Sequence, residues 1–328
     1  MTMSLLKTAT MRRRGLIVAG LTLPSHVQAQ WVPPRQVRLI VPFSPAGGGD
    51  TVARLVAPVM SGILGQPMVV ENRAGAGGTI GAAEAARAVP DGTTLLLDGA
   101  NQAVAPFIFR GLSFDYATAF TPISRIALYP LIIVVKPDSP IRSFAGLIER
   151  AKAQPGRVTY ASSGNAVSNH IAATVLAMRA GLEMTHVPYR GGGPALQAVL
   201  AGDVDFAFTT AASSVALVQQ GSVRALAVSA AARIMALPDL PTVAEQGFPG
   251  FDQTEWVALY GPAGLPAEAV ERVHAASVAA LADPGVQQRL GALGAIGLGT
   301  SPAEFATWLA RERTALQTLV REANISAD

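Results

Sequence analysis

The chain has 328 residues, half of them apolar and 14% charged, with 32 Gly, 23 Pro and no Cys. That length fits two domains of about 150 residues, and the apolar content excludes a disordered chain. With no cysteine, a disulfide scaffold, a thiolate nucleophile and any Cys-ligated zinc site are excluded. The formal charge is +3, yet Lys7, Arg12, Arg13 and Arg14 lie in the first 29 positions with no acid beside them. Of 25 Lys+Arg and 22 Asp+Glu, 21 basic residues therefore face all 22 acidic ones over the remainder, which leaves no basic excess for nucleic acid or an anionic membrane.

Residues 1–29 read as a secretory signal peptide: Arg12–Arg14, the uncharged run Gly15–Leu23, then the small-residue end Val27-Gln28-Ala29. An uncleaved amphipathic N-terminus is the alternative, and the paired arginines raise a twin-arginine export route. The expected location is the periplasm.

The rest alternates strand-like and helix-like segments, as in an α/β fold with a mainly parallel sheet. The spacing predicts a strand over 37–41, then a helix opened by Asp50 as N-cap, kinked at Pro58 and stopped at Gly65. Strand 68–71, loop 74–78, helix 79–88 and strand 93–97 follow. Leu128–Lys136 is a long β-rich run. A helix over 143–153, a strand over 158–162, a helix over 170–180 and a strand over 184–187 come next. Pro194 opens a helix that Gly202 closes. Strands over 204–208, 225–229 and 256–260 precede a helical remainder, 266–323, in which Trp308, Leu309, Leu316 and Leu319 occupy buried faces. The runs at 128–136 and 256–260 are read as two crossings between a domain built from both chain ends (30–131 and 255–328) and one inserted between them (132–254).

Three glycine-rich segments, Pro45–Asp50, Ala74–Thr79 and Tyr189–Pro194, each join a strand to a helix. A helix start offers unpaired N–H groups and partial positive charge, and glycine removes the side chain that would cover them. Such loops suit carboxylate or phosphate, although glycine there can also serve only to turn the chain. Ile80 stands where the third glycine of a dinucleotide fingerprint belongs, and no phosphate-binding Gly-Lys-Ser/Thr exists, so carboxylate is the remaining anion. Ser162, Ser163 and Asn165 follow a strand and can either donate to a carboxylate or cap the next helix. Thr209 and Thr210 carry the same two readings.

For catalysis the chain offers little. Gly-x-Ser-x-Gly and His-Glu-x-x-His are absent, and no cofactor is implied. His274 has charged neighbours and is expected at the surface. Ser162 or Ser163 with His170 is a possible nucleophile–base pair, the basis of an alternative reading as a periplasmic serine hydrolase. Asp203, Asp205 and Glu255 are carboxylates that nothing arranges as an acid–base pair.

Four segments, in this order, resemble a known family: Val41-Pro42-Phe43-Ser44-Pro45-Ala46-Gly47-Gly48-Gly49-Asp50 with Ala53-Arg54; Val70-Glu71-Asn72-Arg73-Ala74-Gly75-Ala76-Gly77-Gly78; His186-Val187-Pro188-Tyr189-Arg190-Gly191; and Leu240-Pro241-Thr242-Val243-Ala244-Glu245-Gln246-Gly247. The family is that of the Bug (Bordetella uptake gene) proteins, extracytoplasmic receptors of tripartite tricarboxylate transporters. The resemblance implies a type II periplasmic-binding-protein fold, two doubly wound α/β domains joined by two crossing strands, and a binding protein rather than an enzyme. It also implies a monomer that grips a small carboxylate through backbone N–H groups and passes it to membrane permease subunits. A solute sensor for a signalling partner is the other alternative. The matching ligand positions are Ala46, Gly47 and Gly48 from one domain, and Ser162, Ser163, Gly164, Asn165, Gly191 and Gly192 from the other. Phe43, Tyr189 and Thr209 join that candidate set, and Asp98 and Asn101 are expected at the pocket floor. The chain departs from the family's pattern at Thr174, where an acidic residue is common, and at Arg190, where Lys is frequent.

Overall fold

The computed structural model describes residues 31–45, 47–165, 167–323 and 325; the leader reading and Ala46 lie outside them. Ten strands form one continuous sheet in two halves. In the first half, β1 (Val37–Val41) lies between β2 (Met68–Asn72) and β3 (Thr94–Asp98), all parallel. Next to β3 comes β9 (Thr254–Pro262), antiparallel, and beyond it the first eleven residues of β4 (Phe120–Val135), edged by the short β10 (Ile296–Gly297). In the second half, β5 (Thr159–Ser162) lies between β6 (Thr185–Pro188) and β7 (Phe206–Thr210), again parallel. The end of β4, Leu131–Val135, runs antiparallel between β7 and β8 (Arg224–Val228). Both halves thus share one order: second, first, third, an antiparallel strand, then the fourth.

The chain passes between halves twice. β4 changes partners at Pro130–Leu131, and the segment into β9 passes from Gln253, whose N–H donates to Ser229 O, to Thr254, which pairs with Pro130.

Helices cover both faces of each half, so inner strands such as β1, β3 and β7 are buried on two sides and read as unbroken apolar runs rather than alternating ones. Along β1, Val37, Leu39 and Val41 join one core while Ile40 joins the other. On the first face pack α1 (Gly48–Leu64), α8 (Ala267–Ala282) and α9 (Pro284–Ala292). The second face carries α2 (Thr79–Ala86), α3 (Asn101–Ile108) and α10 (Pro302–Glu322). In the other half, α4 (Phe144–Ala153) and α5 (Ser168–Ala180) cover one face and α6 (Gly192–Ala201) and α7 (Ala211–Gln219) the other. The halves also touch: Ile171 of α5 belongs to the same apolar cluster as Trp256 and Leu309.

Several expectations change. Asp50 does not cap α1; Gly47 is the N-cap, and Asp50 sits in the first turn, 3% exposed. The helix continues through Pro58 and ends at Gly65, whose φ of 73° is the left-handed geometry that glycine accepts without cost. β4 begins eight residues earlier than the β-rich run. The loop at 74–78 contains a 3-10 turn, Ala76–Gly78. α3, α7 and β10 had no counterpart in the reading, and 266–323 is three helices interrupted by β10. His274 is half-buried, with Nε2 shielded from solvent. Among the described residues no helix is long and apolar enough to cross a membrane, and no cluster of three or more His, Asp or Glu could hold a metal ion.

Candidate functional site

Strand register locates the loops. Asp98, the end of β3, aligns with Ala258 of β9, and β9 in turn runs from Thr254, opposite Pro130. In the other half Thr210, the end of β7, aligns with Leu131. The parallel strands of both halves therefore run toward the Pro130–Leu131 junction from opposite sides. Their carboxyl ends, where open α/β sheets bind ligands, carry the glycine loops.

The loop between β1 and α1 is held from beneath. The Asn72 amide donates to Phe43 O and to Asp50 Oδ1, 3.0 Å each. The Arg54 guanidinium donates to both Asp50 oxygens at 3.0 Å and to Asn72 Oδ1 at 3.0 Å. Asp50, Arg54 and Asn72 act as a brace in which the Asp50 charge is paired with Arg54. Tyr129, fully buried on β4, donates to Gly48 O at 2.7 Å. A Cβ on Gly48 would lie 3.2 Å from Glu255 Oε1 and 3.4 Å from Tyr129 Cε2, so glycine there keeps open the space before α1. Gly78 (φ 93°) is crowded likewise, by the Asn101 amide at 2.8 Å and the Phe43 ring at 3.2 Å. Phe43, Gly78 and Asn101 thus adjoin one another.

Asp98 is 1% exposed and accepts from Gly99 N and from the Asn101 and Gln102 amides, at 2.8–2.9 Å. Burial pushes its carboxyl up to about 7. Asn101 is buried too, its Oδ1 without a partner among the described residues. Asp98 therefore lies beneath the β3–α3 turn and shapes it.

In the second half Ser162 is fully buried and sits 2.6 Å from His186 Nε2, 2.7 Å from Gly164 O and 3.2 Å from Gly164 N. One arrangement satisfies all three contacts: the hydroxyl donates to Gly164 O and accepts from Gly164 N–H and His186 Nε2–H. Its proton is then committed to a carbonyl, the reverse of what an activated nucleophile needs. The histidine against Ser162 is His186, whereas the sequence pointed to His170. His170 lies face to face on His186, centroids 3.9 Å apart, and Tyr160 stacks near the other ring at 5.0 Å. Burial holds His170 down to about 3 and His186 to about 4, so both rings are neutral at physiological pH. Ser163 donates through N–H and Oγ to Asn169 Oδ1 (3.3 and 3.2 Å), and the N-cap position of α5 is taken by Val167. Gly164 (φ 145°) faces Tyr189 O across the β5 and β6 ends, and Gly191 (φ 120°) is the N-cap of α6 beside Gly192. Thr209 is buried with its hydroxyl donating to Ile132 O, 3.3 Å.

Two site-adjacent residues had no role in the sequence reading: His186, quoted only as part of a motif, and Glu255, passed over as a lone acid.

Two α/β lobes of equal topology, linked by two strands with glycine-bared helix starts at the junction, define a periplasmic binding protein of type II fold. Comparison gives the family. The model for the "Tripartite tricarboxylate transporter family receptor" matches residues 52–324, and the chain belongs to that family. It is 36% identical over 324 residues (97% of this chain, 96% of the relative) to a protein in the tcbD-tcbE intergenic region of Pseudomonas sp. strain P51. It is 31% identical to BugT of Bordetella pertussis (94% and 95% covered). Among solved structures it resembles periplasmic binding protein BugD (33% identity, TM-score 0.83, 90% and 99% covered). It also resembles a Rhodopseudomonas palustris protein solved with adipate (32%, 0.85, 90% and 99%) and MatC from the same organism with bound malate (32%, 0.82, 88% and 99%). BugD is thus a periplasmic binding protein, and the family is one of transporter receptors.

Proposed function

We propose that this chain is an extracytoplasmic receptor that closes two domains over a small carboxylate and delivers it, as a monomer, to the membrane permease of a tripartite tricarboxylate-type transporter. One observation carries the reading: the parallel strands of both lobes end at a common junction with glycine-rich helix starts. In this reading the domains are 30–131 with 255–328, and 132–254. The leader, residues 1–29, directs export and is cleaved near Ala29.

Mechanistically, main-chain N–H groups at Gly47–Gly48 receive the carboxylate from one side, and those at Ser163–Asn165 and Gly191–Gly192 from the other. Hydrogen bonds to a charged group contribute about 1.5–3 kcal/mol each, so three or four support micromolar affinity, about −8 kcal/mol, after the cost of association. Because the donors come from both lobes, ligand favours the closed form, a hinge motion about β4 and β9. The buried, proton-committed Ser162 disfavours the hydrolase alternative, whose check is labelling by a fluorophosphonate probe.

Isothermal titration of the purified protein against di-, tri- and aromatic carboxylates tests the proposal, together with Gly48→Val. Micromolar binding of at least one carboxylate, lost in a Gly48→Val protein that still melts cooperatively, is expected. No binding across the panel would overturn the reading.

A further inference from the structure

Beneath the β3–α3 turn the first half gathers polar atoms that find no partner in the chain. Asp98 of β3 aligns with Ala258 of β9, and Leu96 with Tyr260, so Asp98 and Tyr260 are diagonal neighbours on one face of the sheet. Leu96, Ala258, Tyr260 and Tyr116 share the apolar cluster on that face, and Asn101 and Gln102 open α3 over it. Arg313 of α10 donates to Gln102 O at 3.3 Å and to Tyr116 O at 2.7 Å. The Phe120 ring lies 6.0 Å from that of Tyr116 and 6.1 Å from that of Tyr260. Asn101 is 4% exposed, Tyr116 1%, and Gln102 and Tyr260 not at all. Four of their atoms have no hydrogen-bond partner among the described residues: Asn101 Oδ1, Gln102 Oε1, Tyr116 OH and Tyr260 OH.

Asn101 and Gln102 give N–H to Asp98 Oδ2, 2.9 Å each, which turns both amide oxygens away as acceptors without donors. Both phenols keep their protons: burial first, and then the Asp98 carboxylate, raise their proton affinity, with the Asn101 amide opposing this at Tyr116. Two acceptors thus lack donors and two hydroxyls lack acceptors, and a buried group left in that state is destabilising. One water molecule answers all four, donating to the two amide oxygens and accepting from the two phenols. A metal cation would meet the four oxygens but leave both phenol protons without an acceptor. We propose that the first half contains an internal water-binding site formed by Asn101, Gln102, Tyr116 and Tyr260, and that this water fixes the β3–α3 turn. Tyr116 and Tyr260 are then positioning residues for Asn101, whose amide adjoins Gly78 and, with it, the Phe43 ring. The site is independent of the receptor reading; its effect on ligand affinity rests on that reading.

A high-resolution crystal structure of the purified protein grown in rubidium chloride tests the site. Density for one light atom about 3 Å from all four oxygens, without anomalous signal, is expected. An anomalous peak there would mark a cation, and phenols bonded directly to the amide oxygens would exclude a water; either overturns the inference. Calorimetry supplies the second readout, with Tyr116→Phe/Tyr260→Phe, which removes both hydroxyls at nearly constant volume and leaves the bonds to Asp98 in place. In that variant the density should vanish. The tightest binder among succinate, citrate and benzoate should weaken about fivefold, roughly the worth of one hydrogen bond, while the melt stays cooperative. Tyr260→Phe alone serves if the double variant does not fold. Density or full affinity retained after loss of the hydroxyls overturns the inference. A wild-type protein that binds no carboxylate overturns the receptor reading instead, and the crystallographic result then decides the site.

Discussion

His186 holds Ser162 by a 2.6 Å contact and lies 3.9 Å from His170 and 5.0 Å from Tyr160, ring to ring, with His170 buried and His186 half-buried. Their proton affinities fall from the ordinary 6.5 to about 4 for His186 and about 3 for His170. An unfolded chain binds these protons at higher pH than the folded one. The stability they contribute is therefore complete above about 6.5 and is lost as pH falls through the folded values. Asp98 and Glu255, both raised to about 7, work in the opposite direction, since the unfolded chain sheds their protons first as pH rises. Only a difference between variants separates the two effects. His170→Leu is expected to flatten the fall in urea midpoint between about pH 6.5 and 4 relative to wild type, whatever it does to the midpoint at neutral pH. An unchanged slope would show that His170 does not titrate with unfolding. At this scale the sequence was readable by type but not by pairing. Ser162, singled out by its type, closes β5. His170 is near it in sequence, yet β5 and β6 lie side by side with Tyr160 against His186, and that register decides which ring meets the serine.

Loops at the ends of β1 and β2 are organised by one amide. Asn72 bridges Phe43 O, Asp50 and Arg54, and so ties the end of β2 to the loop before α1. Asn72→Ala should cost about 1–3 kcal/mol by leaving Phe43 O and the Asp50–Arg54 pair without their shared partner. Urea denaturation reads that loss, and ligand affinity should weaken along with it because the loop is no longer held. Full affinity at reduced stability would show the loop to be positioned by Tyr129 alone. Elements buried on both faces, such as β1 and β3, were readable as short apolar runs bounded by turn residues. The first half of β4 was not, because Pro122, Ser124 and Arg125 interrupt the pattern; the register shifts flank those residues, which is how the strand accommodates them. Helices α3 and α7 were missed for a related reason. α3 is eight residues long with Pro106 inside, and α7 opens on Ala211-Ala212-Ser213-Ser214, whose small side chains give no clear apolar stripe.

Across the whole molecule, topology carries the function. Two halves with one strand order are joined by β4 and β9, and the loops of both lobes lie beside that junction, the hinge of the proposed function. The crossings were readable because a long β-rich run after several α/β units has no place inside a single parallel sheet. What composition and spacing could not supply was direction: only register shows that β3 and β7 run toward the same junction. The most direct test of a carboxylate gripped from both lobes is a crystal structure of the protein loaded with the tightest ligand from the titrations. The account predicts carboxylate oxygens about 3 Å from main-chain nitrogens of the Gly47–Gly48 segment and, in the same molecule, of Ser163–Asn165 or Gly191–Gly192. A ligand seated on one lobe only, or away from the Pro130–Leu131 junction, would contradict it.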